Sequence, residues 1–148
     1  MHILVINGPN LNLLGMREPQ IYGRQTYADL TNLLTETASK LGVGVECFQS
    51  NHEGTIVDKI QQALGKTDGI IINPAAYTHT SVAILDAVKA VGIPTIEVHI
   101  SDPDEREDFR HISYIRAACI ETVKGMGFAG YVKAMEDMAT HLRKENDV

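Results

Sequence analysis

The stretch that most constrains the fold is Gly69-Ile70-Ile71-Ile72-Asn73. Three consecutive β-branched apolar residues leave no polar face. Such a strand suits a parallel sheet covered on both sides. The cover has to be helical, because parallel strands need crossover connections. Apolar runs at residues 2–6, 43–49 and 95–99 alternate with helical-period segments at 26–41, 54–64, 81–91 and 129–142. Tyr27, Leu30, Leu33, Leu34, Ala38 and Leu41 form one apolar stripe, and Tyr131, Met135, Met138 and Leu142 form another. Gly42, Gly65 and Gly92 stand where three of these helices should stop. A fifth strand is expected near residues 118–123, and residues 145–148 should fray. The alternation predicts an α/β, flavodoxin-like three-layer sandwich with a five-stranded parallel sheet in the order 2-1-3-4-5. At 148 residues, one domain spanning 1–148 is expected.

In such a fold, ligands bind beyond the carboxyl ends of the strands. The first strand leads into Asn7-Gly8-Pro9-Asn10-Leu11-Asn12 and onward to Gly23, a connection of roughly 18 residues where about 2–6 is usual. Its glycines, prolines and asparagines suit a lid. The other strands end in Ser50-Asn51-His52-Glu53, in Asn73-Pro74-Ala75-Ala76-Tyr77-Thr78-His79, and in His99-Ile100-Ser101. Each end alone could be a cap or turn, and Thr78 or Thr80 could simply cap the helix that follows. Four polar ends converging on one edge point to a site.

Strand alternation puts Glu97 and His99 on one side, where a carboxylate can orient an imidazole. His79 precedes a helix, where it could equally be solvated. Arg17 and Tyr22 lie five apart in the lid. A free tyrosine, with a pKa of about 10, is only roughly 0.1% ionised at neutral pH. A guanidinium nearby would stabilise the phenolate and make a usable base. Arg106 and Arg110 sit among acids that would neutralise them, or they could clamp a carboxylate. The six histidines form no metal-binding pattern, so no metal is expected.

The formal charge of −6 gives no footprint for nucleic acid. No apolar run approaches the ~18–20 residues of a membrane span. The chain enters its first strand at once, so no signal peptide is visible. Cys47 and Cys119 read as buried free thiols. Together these features predict a cytoplasmic protein. A phosphoryl receiver of this fold needs an acidic cluster after the first strand and an Asp ending the third; Asn7 and Asn73 stand there instead. Walker A, GxGxxG and GxSxG motifs are absent, which argues against a nucleotide or flavin binder and a serine hydrolase.

The blocks from Ile6 to Gly15, from Arg17 to Gly23, from Phe48 to Gly54, from Ile72 to Ser81, from Ile96 to Ser101 and from Arg106 to Arg110 appear in order and span most of the chain. In them the chain resembles type II 3-dehydroquinate dehydratase, an enzyme of the shikimate and quinate pathways. The resemblance implies dehydration of 3-dehydroquinate to 3-dehydroshikimate by anti elimination through an enolate, without metal, cofactor or Schiff-base lysine. It implies Tyr22 as tyrosinate base at C2, with Arg17 keeping it ionised. It implies His99 as acid at the C1 hydroxyl, Glu97 as its support and Asn12 as a stabiliser of the enolate. Asn73, His79, Ile100, Ser101 and Arg110 would hold the substrate. Asp86 would reach a neighbouring subunit's site in a homododecamer built from trimers. The chain departs from the family pattern at Asp102-Pro103-Asp104-Glu105, at Ile112 and through residues 115–124. The alternative is a non-catalytic module of the same fold that binds a small ligand or phosphate.

Overall fold

The computed structural model describes residues 1–16 and 18–147, with Tyr22 described by its backbone alone. In chain order the strands and α-helices are β1 (His2–Asn7), α1 (Pro19–Tyr22), α2 (Tyr27–Leu41), β2 (Gly44–Gln49), α3 (Glu53–Gln62), β3 (Gly69–Asn73), α4 (Val82–Val91), β4 (Thr95–His99), β5 (Glu121–Lys124) and α5 (Ala129–Asn146). All strand pairs are parallel and the order is β2-β1-β3-β4-β5, as the alternation predicts.

Strand alternation divides the core between two faces. On β1, Ile3 and Val5 point one way and Leu4 and Ile6 the other. On β3, Ile71 joins the first set and Ile70 and Ile72 the second. Helices α2 and α5 close the first face with Leu30, Leu34, Tyr131, Met135 and Met138. Helices α3 and α4 close the second with Ile56, Ile60, Ile84 and Val88. This is why Ile70, Ile71 and Ile72 leave no polar face before Asn73 ends the strand: each of the three meets helices on one side of the sheet or the other.

Helix α2 starts at a capping box, in which Thr26 Oγ1 accepts from the Asp29 amide and Asp29 accepts from the Thr26 amide. Helix α4 is capped by Ser81 rather than by Thr78 or Thr80, its Oγ accepting from the Ile84 amide at 3.0 Å. The last strand lies at Glu121–Lys124, later than the expected 118–123. Residues Ile115–Ala118 form a 3-10 turn instead, because Ile115 is needed in the second core. Helix α5 runs to Asn146, into the 145–148 stretch expected to fray, of which Val148 lies outside the described residues. Arg143 bonds the Leu41 carbonyl and His141 pairs with Glu145 at 3.3 Å, tying the last turns down. Cys47 and Cys119 are free and half-buried rather than buried. Burial first, then Glu46 or Glu97 nearby, pushes their thiols up to about 11 and about 12. Among the described residues, no helix is long and apolar enough to cross a membrane.

Candidate active site

The parallel register sets Asn7 between Gln49 and Asn73, so three strands end level at one edge. Beyond that edge lies a cavity of about 150 Å³. Pro9, Asn10 and Leu11 wall it from the loop after β1, and Asn73, Ala75 and His79 from the turn after β3. His99, Ile100 and Ser101 close its β4 side, with Arg106 and Arg110 beyond them. Two wall residues, Asn10 at φ 70° and Ala75 at φ 54°, hold the left-handed backbone that L side chains rarely adopt. Strain of this kind collects where a backbone is shaped for a ligand.

Glu97 and His99 meet as alternation predicts. His99 Nε2 lies 2.6 Å from Glu97 Oε2, with Glu97 fully buried. That leaves Nδ1 of His99 for a ligand; among the described residues it has no protein partner. Glu97 also accepts from Ser113 Oγ at 2.7 Å, from Arg116 Nε at 3.0 Å and from Thr122 Oγ1 at 3.1 Å. Burial alone would raise the Glu97 carboxyl. The bonds from His99, Arg116 and Ser113 outweigh it and hold the group at about 2. The carboxylate is therefore a fixed negative charge behind the imidazole.

His79 Nδ1 lies 2.7 Å from the Ile112 carbonyl. A carbonyl only accepts, so Nδ1 carries the hydrogen and Nε2 is left as the other ring atom. Burial lowers the His79 ionisation below its ordinary value, despite the raising effect of that bond. The ring is thus a neutral hydrogen-bonding group at neutral pH. The bond uses the backbone of Ile112, whose side chain is exposed, so that departure from the family pattern leaves this contact in place. The other departure also folds locally. Asp102 Oδ1 caps a turn by accepting from the Asp104 amide at 3.0 Å, and Pro103 is buried at the cavity wall.

Asn73 lines the cavity, yet its amide is already used inside the protein. Its Nδ2 donates to Tyr131 Oη at 2.9 Å and its Oδ1 accepts from the Ala75 amide at 3.1 Å. Tyr131 in turn donates to Asn7 Oδ1 at 2.6 Å. Arg110 lies at the wall with its Nε 2.5 Å from the exposed carboxylate of Glu107. An incoming carboxylate would compete for that guanidinium with a partner held only at the surface. Ile100 is buried and Ser101 half-buried; both line the cavity.

Other expected residues are not gathered there. Asn12 is exposed, takes a long hydrogen bond of 3.4 Å from Gln49 Nε2, and lies outside the wall. Asp86 is exposed on α4, also outside it. Arg17 and the Tyr22 side chain lie outside the described residues. What is described of the lid shows buried Leu11 and Leu14 anchoring its first half in the core, and Pro19 opening α1. Among the described residues, no group of three or more His, Cys, Asp or Glu side chains is placed to hold a metal ion. Sequence reasoning missed Ser113, Arg116 and Thr122; it had Asn7 at a strand end and Tyr131 on a helix stripe but not the bond that joins them. The folded register, which sets Thr122 opposite Glu97, is what brings that hydroxyl in.

Residues 1–139 match the family model described as Dehydroquinase class II. The chain is 51% identical over 144 residues to a 3-dehydroquinate dehydratase of Synechococcus sp. (strain CC9605), covering 97% of this chain and 99% of that protein. It is 54% identical over 142 residues to catabolic 3-dehydroquinase 1 of Aspergillus terreus (strain NIH 2624 / FGSC A1156), covering 96% of this chain and 93% of the other. The crystal structure of a type II dehydroquinase from Butyrivibrio crossotus DSM 2876 is similar with a TM-score of 0.92 and 54% identity, over 93% of this chain and 97% of that one.

Proposed function

Because the chain belongs to the class II dehydroquinase family, we propose that it dehydrates 3-dehydroquinate to 3-dehydroshikimate by anti elimination through an enolate. The C2–H bond breaks first. Tyr22, kept as tyrosinate by Arg17, takes the proton, and the electron pair passes to the C3 oxygen. Asn12, on the lid, stabilises that oxyanion. The C1–O bond then breaks, the C1–C2 double bond forms and the carbonyl returns. His99 protonates the departing hydroxide, which leaves as water. Glu97 holds the imidazole in place throughout. Asn73, His79, the Ile100 backbone, Ser101 and Arg110 hold the substrate's hydroxyls and carboxylate.

The buried Glu97–His99 pair, 2.6 Å apart at the wall of a polar cavity, supports this reading most directly. A ring nitrogen backed by a fixed carboxylate and open on its other side is suited to hand a proton to a leaving group. Neutral His79 and the guanidinium of Arg110 suit a hydroxylated carboxylic acid. Asp86, exposed and away from its own cavity, is free to complete the site of a neighbouring copy. We place the activity in one catalytic domain, 1–148, assembled as a cytoplasmic homododecamer of trimers.

Dehydration creates a conjugated enone, so ultraviolet absorbance reports it directly. Purified protein mixed with 3-dehydroquinate should give a steady rise that scales with protein concentration. A folded protein that gives no rise overturns the reading and leaves a non-catalytic small-ligand module.

A further inference from the structure

A buried carboxylate needs a countercharge as well as a full set of donors. Glu97 has both, and they reach it from two sides. Oε2 takes His99 Nε2 at 2.6 Å and Ser113 Oγ at 2.7 Å. Oε1 takes Arg116 Nε at 3.0 Å and Thr122 Oγ1 at 3.1 Å. Both lone pairs of each oxygen are thereby used. Ser113 and Thr122 bring no charge. The countercharge has to come from His99, which faces the cavity, or from Arg116, which does not line it.

We propose that Arg116 is a positioning residue for the dehydration, acting on His99 through Glu97. Its guanidinium supplies the permanent charge that the buried carboxylate requires. His99 is then not bound to serve as the counterion of Glu97, and its proton can leave. Were Arg116 absent, a buried carboxylate 2.6 Å away would hold the imidazolium fast. A proton held that tightly is a poor acid for a departing hydroxide. The proposal rests on the dehydratase reading.

The neighbouring ionisable groups do not take the place of Arg116. Cys119 feels both Glu97 and Arg116, but burial keeps its thiol protonated. His79, on the cavity side, is neutral for the reason given above. Arg110 is paired to Glu107, and Arg106 lies beyond it at the cavity wall. Lys124, opposite His99 in the register, is paired to Asp102 and Asp104. Arg116 keeps 37% of its side chain exposed, and Gln and Lys retain part of the covered stem.

The experiment measures the pH dependence of kcat for the wild type, Arg116→Gln, Arg116→Lys and Ser113→Ala. Alongside, the His99 ring is titrated by 15N NMR in substrate-free protein. Arg116→Gln should move the alkaline limb of kcat upward by about one pH unit. It should also lower the plateau at least ~10-fold, with KM little changed. The ring titration should move the same way. Arg116→Lys, which keeps the charge, should leave the limb in place. Ser113→Ala, which removes a neutral donor, should lower kcat without moving the limb. An unmoved limb and ring titration in Arg116→Gln overturn the proposal. An equal upward shift in Ser113→Ala or Arg116→Lys also overturns it. Should Arg116→Gln fail to fold, Arg116→Met, which removes the charge and keeps most of the apolar stem, is read in its place with the same expected shift and the same overturning result. The titration needs no turnover, so a failure here stays distinct from a failure of the dehydratase reading.

Discussion

Tyr131→Phe removes one oxygen from the centre of the fold. That hydroxyl donates to Asn7 Oδ1 at 2.6 Å and accepts from Asn73 Nδ2 at 2.9 Å, with the residue fully buried. Its loss leaves one acceptor and one donor without partners. Each orphaned buried group costs about 1–3 kcal/mol, so the variant should lose about 3 kcal/mol. Total stabilities run to only about 5–15 kcal/mol, so the loss should be large in a urea titration. The midpoint should fall while the slope stays unchanged, because the surface exposed on unfolding is the same. The exposed Tyr114, changed to Phe, is the control and should stay within about 0.5 kcal/mol. The site should suffer too. Asn73 Oδ1 holds the Ala75 amide at 3.1 Å, and Ala75 stands in the left-handed region at the cavity wall. KM should therefore rise. A loss below about 1 kcal/mol with unchanged slope refutes the idea that this network fastens β1 and β3 to α5.

Other outcomes follow from single contacts. A Cβ at Gly8 would sit 2.4 Å from the Pro74 carbonyl oxygen, a backbone atom that no rotamer change can clear. Gly8→Ala should therefore push the two strand ends apart and cost at least ~2 kcal/mol by urea titration; a neutral result would refute the close approach. Glu97 is held at about 2 in the fold against about 4.3 when unfolded. A depressed value means its stabilisation is present above that unfolded value and is lost as pH falls toward 2. The amount is about 3 kcal/mol. Glu97→Gln should flatten the fall of stability over that window, and an acid titration as steep as the wild type's contradicts it. Thr26→Ala breaks the α2 capping box and should cost about 1 kcal/mol, read by thermal unfolding.

The centre of the sheet was legible because β1, β3 and β4 are covered on both faces: Ile70, Ile71 and Ile72 admit few other readings. β5 was harder, because it is an edge strand of only four residues. Only Val123 of Glu121–Lys124 is buried, so it carries no apolar run. Glu97 and His99 were legible as a pair because strand alternation is local. The residues that complete the pair, Ser113 and Arg116, arrive from a segment of 3-10 turns with no periodicity. The Asn7–Tyr131 bond joins residues 124 positions apart, and only the packed fold brings them together. Asn73 was read for its position at a strand end; the sequence held no sign that α5 would occupy its amide. Ile112 looked like a lost side chain, whereas its carbonyl makes the contact with His79.

Enone formation from 3-dehydroquinate, followed by ultraviolet absorbance with the wild type and Tyr22→Phe side by side, bears most directly on the proposed chemistry. The phenylalanine ring keeps the shape and cannot take a proton. Turnover by the wild type should fall by at least ~10²-fold in the variant, with the fold intact by circular dichroism. Turnover that survives in Tyr22→Phe would contradict the tyrosinate base while leaving the reaction itself in place.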